Sequence, residues 1–143
     1  MAGSQNFLQG FYTPTNPEKY IGDVKKIVYR SSWELEFNKF LDHNANVLKW
    51  GSESVAIPYL KPTDQRVHRY YPDYFVVYQD KDGNEHRELI EIKPSSQAKL
   101  SKKAKLYEQI TYAINVAKWE SAQKWCDKYG VKFRILTEKE LFR

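Results

Sequence analysis

The chain has 143 residues, a formal net charge of +5 and an aromatic content of 15%. This length suffices for the core of one domain, and such a composition excludes a disordered polymer. The single cysteine, Cys126, excludes a disulfide framework and a cysteine zinc site. The sequence has no apolar run of membrane-spanning length, which predicts an intracellular protein with no membrane partner, and its basic balance favours a polyanionic partner.

The first 23 residues mix glycines and prolines with aromatic side chains and keep neither a strand nor a helix period. We therefore predict an extended arm over residues 1–23, followed by a domain over residues 24–143. The aromatic residues of the arm pack on that domain or on a partner. A merely ordered terminus is the alternative.

A helix is predicted from Ser31 or Ser32, because apolar residues follow at three- and four-residue spacing. This apolar face comprises Trp33, Phe37, Phe40 and Leu41. Glu34 and Glu36 fall on its two borders, and Glu34 is slightly better placed to reach inward. Glu34 also completes the capping-box pattern Ser31-Ser-Trp-Glu34, so both a site role and a capping role stay open for it.

Two short strands are predicted next, over residues 47–50 and 53–59, followed by a loop over residues 61–65. Pro58 restricts the second strand to a sheet edge or a strand end, because proline cannot donate a ladder hydrogen bond.

Residues 74–78 and 89–93 are predicted to form an antiparallel hairpin, because both are aromatic or β-branched and an Asp-Gly turn signal lies between them. Alternation along the second strand puts Glu91 and Lys93 on one face. Asp73 opens the first strand and would meet Glu91 there. Two carboxylates and a lysine suit Mg²⁺, which takes oxygen ligands and keeps water and substrate phosphate. A simple cross-strand ion pair of Lys93 with either acid is the alternative.

After Pro94 the sequence predicts a long helix that ends at Gly130. Its two apolar stripes slip near Lys118, which leaves a bend or two successive helices open. The stripes are Tyr107, Ile110, Ile114 and Ala117, then Trp119, Ala122, Cys126 and Tyr129. A strand over residues 131–136 and a short helix capped from Thr137 complete the chain.

A cluster of lysines without an intervening acid marks the entry to the long helix: Lys99, Lys102, Lys103 and Lys105. Cations at a helix N-terminus oppose the helix dipole, so the cluster is unfavourable in the isolated protein. It is favourable against phosphate, which predicts binding of double-stranded DNA. A solvated lysine face is the alternative.

In order and spacing, Glu34, Pro72-Asp73 and Glu91-Ile-Lys93 resemble the PD-(D/E)XK nuclease superfamily. Gln109-Ile-Thr-Tyr112 is similar to an extra Gln/Tyr motif of several of its branches, although two residues separate the pair here and three in the familiar form. Longer blocks resemble the head-completion nuclease family of tailed phages, itself similar to end-cleaving endonuclease subunits of some transposons. These blocks are Phe7-Leu-Gln-Gly-Phe11, Val28-Tyr-Arg-Ser-Ser-Trp-Glu34, His68-Arg-Tyr-Tyr-Pro-Asp73, Ile90-Glu-Ile-Lys-Pro94, Asn115-Val-Ala-Lys-Trp119 and Thr137-Glu-Lys-Glu-Leu141.

The resemblance implies an α/β (α+β) fold of the restriction-endonuclease type: a mixed central sheet flanked by helices in a single domain. It implies that Asp73, Glu91 and the backbone carbonyl of Ile92 bind Mg²⁺, with Mn²⁺ as a substitute. Lys93 would position the attacking water.

Glu34 would complete the catalytic set in the same resemblance, with Glu36 as its competitor. Gln109 and Tyr112 are the accessory candidates that the extra motif implies.

The resemblance also implies a metal-dependent endo- or exodeoxyribonuclease that cuts or trims packaged phage DNA before the head joins the tail. Its partners would be double-stranded DNA and, through the arm, phage head or portal and neck proteins. Its place would be the cytoplasm of the infected bacterial host, with association with the virion. Two alternatives stay open: a non-catalytic DNA-binding or structural head protein on a nuclease-like fold, and a repair or restriction-type nuclease of the same superfamily.

Overall fold

Eight strands and four helices make up the computed structural model, which describes residues 9–141. The strands are β1 (Gly10–Phe11), β2 (Val28–Tyr29), β3 (Val47–Ser52), β4 (Ile57–Lys61), β5 (Arg66–Tyr70), β6 (Tyr74–Gln79), β7 (Glu85–Ile92) and β8 (Lys132–Leu136). The helices are α1 (Ser32–His43), α2 (Ser95–Ala98), α3 (Leu106–Tyr129) and α4 (Glu138–Leu141), and two 3-10 turns lie at Pro17–Lys19 and Val24–Lys26. Phe7 and Leu8 of the predicted arm lie outside the described residues.

The central sheet has four strands in the order β3-β6-β7-β8. Its first three strands are antiparallel, whereas β8 runs parallel to β7. A parallel neighbour requires a long crossover, and α3 supplies it. The predicted mixed sheet with flanking helices is therefore confirmed. Within residues 9–141, no helix combines the length and apolarity that crossing a membrane requires.

The predicted central hairpin is confirmed as β6 and β7, with Tyr74 opposite Ile90. The Asp80 carboxylate accepts hydrogen bonds from the backbone amides of Asp82 and Asn84, each at 2.9 Å. Gly83, between Asp82 and Asn84 in the same turn, has φ = 83°, a left-handed conformation that glycine adopts without strain.

The predictions for residues 53–65 were partly wrong. The strand runs over Ile57–Lys61 instead of 53–59, and the predicted loop is the turn of a hairpin whose return strand, β5, was not predicted. The Arg-Val-His-Arg sequence of β5 gave no core-strand signal, because this two-stranded sheet leaves one face in solvent. Pro58 lies on this small sheet, where neither strand has a second neighbour, as its edge prediction required.

Helix α3 is uninterrupted through Lys118, so the alternative of two successive helices there is wrong, and the break occurs earlier, over residues 99–105. The stripe prediction failed at its beginning: Tyr107 and Ile110 are 65% and 42% exposed. Only the later part of the helix contributes side chains to the core beneath β4 and β7, so the first turns leave their apolar residues in solvent. The predicted C-terminal stop is confirmed by Gly130, with φ = 67°.

The buried face of α1 differs from the predicted one. Phe37 and Leu41 are buried as predicted, whereas Phe40 is 54% exposed. Asn38 and Asp42 are buried in its place, because each has a hydrogen-bonding partner in the core. The buried face is consequently centred on Glu34, one and two turns before these two residues.

The described part of the arm packs against the domain. Tyr12 and Tyr20 lie edge-on to Trp50, with ring centroids 6.3 and 4.7 Å away. The Tyr12 hydroxyl donates to Asp42 at 2.6 Å. The Thr15 backbone amide donates to the same carboxylate at 2.7 Å, and the Asn16 amide at 2.9 Å.

Candidate active site

The site lies where β6 begins and β7 ends. Asp73 directly precedes β6, and the pairing of Tyr74 with Ile90 brings it to the end of β7, which carries Glu91. Asp73 Oδ2 accepts a hydrogen bond from the backbone amide of Ile92 at 2.7 Å. The predicted hairpin therefore brings Asp73 onto the strand that carries Glu91.

Glu91 is held from two sides. Its Oε1 accepts a hydrogen bond from the Tyr70 hydroxyl at 2.8 Å, and its Oε2 lies 3.6 Å from Lys93 Nζ. Only 6% of Glu91 is exposed. This ion pair agrees with the parity argument for Glu91 and Lys93, and it keeps open the alternative of a simple ion pair.

Both carboxylates resist ionisation in the folded protein. Burial raises the pKa of Asp73 well above its usual value, the nearby Glu91 raises it further, and the Ile92 amide opposes this only in part. Burial also raises the pKa of Glu91, although Lys93 and Tyr70 work against it. Two like charges in one partly desolvated site cannot both ionise without cost. The surrounding hydrogen-bond donors and cations are therefore not enough to stabilise both carboxylates in the ionised form.

Glu34 both caps α1 and faces the two acids. Its backbone amide donates to Ser31 Oγ at 3.2 Å, and its Oε2 accepts from the backbone amide of Arg30 at 2.7 Å. The cap thus reaches Arg30 instead of the N-cap residue that the pattern predicts. Burial raises the pKa of Glu34, and the charges of Glu53 and Glu91 add to that rise. The capping and site roles do not exclude each other.

Glu36, the competing candidate, lies away from this cluster. Its side chain is 62% exposed, and its carboxylate lies 3.5 Å from Lys39 Nζ on the outer face of α1. The structure therefore places Glu34 with the other carboxylates and leaves Glu36 in solvent.

Sequence reasoning missed two groups next to Glu91. The first is Tyr70, whose hydrogen bond to the Glu91 carboxylate was not predicted. Lys118 of α3 lies over two tyrosine rings, with Nζ 5.6 Å from the centroid of Tyr70 and 5.8 Å from that of Tyr59. Burial lowers the pKa of Lys118 and Lys93 lowers it further, whereas Glu91 raises it. A lysine at the slip between two apolar stripes was the sequence signal for it.

A third group borders the site on the α1 side. Arg30 forms an ion pair with Glu53, whose backbone amide donates to the carbonyl of Asp73 at 3.0 Å. Glu53 has φ = 51°, a left-handed conformation that is strained for a residue with a side chain.

The accessory candidates have other contacts. Gln109 is exposed and donates through Nε2 to the Ala104 carbonyl at 3.0 Å. It lies nine residues before Lys118, which corresponds to about 13.5 Å along the helix axis and half a turn around it. Tyr112 packs edge-on against Trp119, at 6.4 Å between ring centroids. Their accessory role stays a prediction.

The predicted DNA-binding lysines are all exposed: Lys99, Lys102, Lys103 and Lys105. They lie in the segment between α2 and α3, before the long helix, and Lys105 is the N-cap residue of α3, which agrees with the predicted place at the entry to that helix.

The donor set fits a hard divalent cation that is completed by water and substrate. The Ile92 amide and the Tyr70 hydroxyl fix one oxygen each of Asp73 and Glu91, which leaves the other oxygens for further ligands. Within residues 9–141, no three histidine, cysteine or acidic side chains form a preformed metal cluster. Mg²⁺ commonly needs only one or two protein carboxylates, with phosphate oxygens and water as its remaining ligands.

A family model and a known protein both match this chain. Residues 44–138 match the family model described as TnsA-like endonuclease N terminal, a span that includes Asp73, Glu91 and Lys93. The chain is also 39% identical over 142 residues to the head completion nuclease of Enterobacteria phage T4, and the match covers 92% of each chain.

Proposed function

The chain belongs to the TnsA-like endonuclease family, which has the restriction-endonuclease-like fold, and from that premise we propose that it hydrolyses DNA phosphodiesters with the help of Mg²⁺. The observation that carries the proposal is the Asp73–Glu91 pair: burial raises the pKa of both carboxylates, and the charge of Glu91 raises that of Asp73 further. A divalent cation would offset that repulsion, and a lysine that faces the same site supplies a cation for the phosphate.

Asp73 and Glu91 would hold the ion, together with the backbone carbonyl of Ile92. With Mg²⁺ or its substitute Mn²⁺ held there, the scissile phosphate would be polarised and the pKa of a nearby water would be lowered. Tyr70 and the Ile92 amide orient the two carboxylates, so little reorganisation is needed when DNA arrives.

Lys93 acts as a cation that orients the attacking water and stabilises the charge that develops on the phosphate. Lys118 is the second cation on this side of Glu91, half-buried against Tyr59 and Tyr70. In the described part of the chain, Lys118 has no carboxylate within ion-pair distance, which leaves its charge to a phosphate oxygen of the substrate. Glu34 contributes a third carboxylate at the edge of the pair.

The substrate class we propose is double-stranded DNA. The exposed lysines between α2 and α3 supply a sequence-independent attraction for its backbone. The phage T4 relative is a head completion nuclease, which supports a role in phage head completion. The role we propose is cutting or trimming of packaged DNA before the head joins the tail, in the cytoplasm of the infected host and on the assembling virion. Phe11, 71% exposed on β1, is a contact for head or portal and neck proteins through the arm.

The test is cleavage of linear and circular duplex DNA by the purified protein with Mg²⁺, Mn²⁺ or EDTA. We expect cleavage with either metal and none with EDTA, and nicking of the circle would identify an endonuclease. Lys93→Ala should abolish cleavage but keep the thermal stabilisation by Mg²⁺, whereas Lys132→Ala, on the exposed start of β8, should cleave normally. Binding of DNA without cleavage in either metal would favour the non-catalytic alternative.

A further inference from the structure

The hairpin of β4 and β5 has two chemically different faces. On its inner face Ile57, Tyr59 and Tyr70 are buried against the core beneath α3, and the Tyr70 hydroxyl holds Glu91. The register pairs Ile57 with Tyr70, the last residue of β5, so the open end of the hairpin lies three residues before Asp73. The hairpin is therefore attached directly to the candidate active site.

The outer face presents apolar side chains to solvent. Leu60 is paired with Val67, and the two residues are 54% and 71% exposed. Pro58 is paired with Arg69 on the same face, and Tyr71, 46% exposed, continues the row. Directly paired residues are neighbours across a two-stranded sheet, so this is a contiguous patch.

The charge of the hairpin indicates what covers this patch. Arg69 is the cation of the outer face, whereas Lys61 and Arg66, which pair with each other, have the parity of the inner face, and Asp64 in the turn is the single acid of the hairpin. Asp64 is already engaged, because it accepts from the Arg66 backbone amide at 2.9 Å and lies 2.7 Å from His68 Nε2. The outer face pairs Pro58 with Arg69 and Leu60 with Val67, and such apolar side chains beside a cation suit the base edges and phosphates of a nucleic acid.

The distance to the active site agrees with the same partner. Arg69 lies four residues before Asp73, and Val67 lies six residues before it. These separations correspond to at most about 13 and 20 Å of extended chain. These upper limits correspond to about four and six base-pair steps of 3.4 Å. A duplex that presents a phosphate to Asp73 would therefore pass the hairpin. A two-stranded ribbon also fits the major groove of B-form DNA.

We propose that the outer face of this hairpin, formed by Pro58, Leu60, Val67 and Arg69, binds duplex DNA within about six base pairs of the scissile phosphate. The proposal rests on the proposed function, because it takes the Asp73–Glu91 site as the place of cleavage. The same hairpin then binds DNA with one face and orients Glu91 with the other.

Site-directed cross-linking tests the contact directly. A photoactivatable group is attached to Val67→Cys; the natural Cys126 does not interfere, because it is buried and its burial raises the thiol pKa to about 11. The matched control is Lys81→Cys, in the exposed turn at the other end of β6 from Asp73. Cross-linking is done in EDTA on a duplex whose cleavage position has been mapped with the wild-type protein in Mg²⁺.

We expect DNA cross-links from position 67 at least tenfold above those from position 81, and within about six base pairs of the cleavage position. Equal yields from the two positions would overturn the proposal. So would cross-links from position 67 to a second copy of the protein, or none at all.

Equilibrium binding in EDTA supplies a second measurement. Arg69→Gln combined with Val67→Ser should weaken duplex binding about tenfold, the lower end of what loss of a specific contact costs. Lys81→Gln removes the same charge elsewhere and should change binding less than twofold. Unchanged affinity in the double variant, with a wild-type melting temperature, would overturn the proposal.

The two proposals fail separately. A wild-type protein that binds but never cleaves DNA removes the proposed function, and cross-linking and affinity still decide whether the hairpin binds DNA. A wild-type protein that cleaves DNA but gives no cross-link from position 67 removes the hairpin surface alone.

Discussion

Two sets of buried acids in this protein, Asp42 on one side and the Asp73–Glu91 pair on the other, have pKa values that are shifted in opposite directions. Asp42 is fully buried, and burial alone would raise its pKa, yet hydrogen bonds from the Tyr12 hydroxyl and the Thr15 and Asn16 amides hold its pKa below the usual range. In the Asp73–Glu91 pair, burial prevails over the available donors and raises both pKa values, and the charge of Glu91 adds to the rise at Asp73.

The direction of the pKa shift separates a buried acid with a structural role from a candidate functional one. The charge of Asp42 is satisfied by the protein itself, and its partners attach the arm to α1. The charges of Asp73 and Glu91 are satisfied only in part, and a cation would complete them. Buried acids with strongly perturbed pKa values and missing partners are candidates for function.

The largest effect is expected from Asp73→Asn. Cleavage should fall by about 10³-fold, as expected when a group that stabilises transition-state charge is removed. The metal-free protein should be no less stable, because the repulsion of Glu91 is relieved. Single-turnover cleavage and thermal denaturation measure the two quantities, with Asp82→Asn in the exposed β6–β7 turn as control. Cleavage at the wild-type rate would end the assignment of Asp73.

Asp42→Ala should show the reverse pattern. Loss of the carboxylate orphans the Tyr12 hydroxyl and two backbone amides, and we expect the free energy of unfolding to fall by about 3 kcal/mol. Cleavage per folded molecule should stay near the wild-type value. Urea denaturation measures the loss, and Tyr12→Phe, which removes one donor, should cost only about 1 kcal/mol. A loss in cleavage without a loss in stability would make Asp42 functional.

Glu34 combines features of both sets, so Glu34→Gln sharpens the comparison. Glutamine still accepts the Arg30 amide, so stability should hardly change. Cleavage should fall by about tenfold, less than for Asp73 because Glu34 lies at the edge of the pair. Glu36→Gln, in solvent, is the matched control. If Glu36→Gln has the larger effect on cleavage, the catalytic role belongs to Glu36.

The pH dependence of stability should separate the two sets with smaller effects. Asp42, with a lowered pKa, contributes stability above its unfolded value of 3.8 that is lost as pH falls through its folded pKa. Asp73 and Glu91, with raised pKa values, contribute stability that is complete below their unfolded values of 3.8 and 4.5 and is lost as pH rises through their folded pKa values.

Denaturation curves measured against pH without metal test this expectation. Asp42→Asn should flatten the acidic limb of stability, and Glu91→Gln should flatten the decline between the unfolded value of 4.5 and the raised folded pKa of Glu91. The same slope change in both variants would show that the two sets do not differ in the way proposed.

Much of the site was predictable because its patterns are local. The Asp-Gly turn and the strand alternation placed Glu91 and Lys93 on one face and Asp73 beside them, and all three meet in the structure. Capping chemistry predicted Glu34 at the first turn of α1, where it lies. Turn residues, strand parity and helix caps act over a few residues, so a sequence displays them directly.

Tertiary structure alone decided which polar residues are buried. Asn38 and Asp42 are polar by sequence, yet they replace Phe40 in the core, because Tyr74 and Tyr12 supply hydrogen bonds from 36 and 30 residues away. Tyr70 reaches Glu91 across 21 residues. Such burial is favourable only when a distant partner offsets desolvation, so no local pattern encodes it. The sequence by itself determined the strand that carries Glu91 and Lys93, whereas folding determined which side chains complete the site around it.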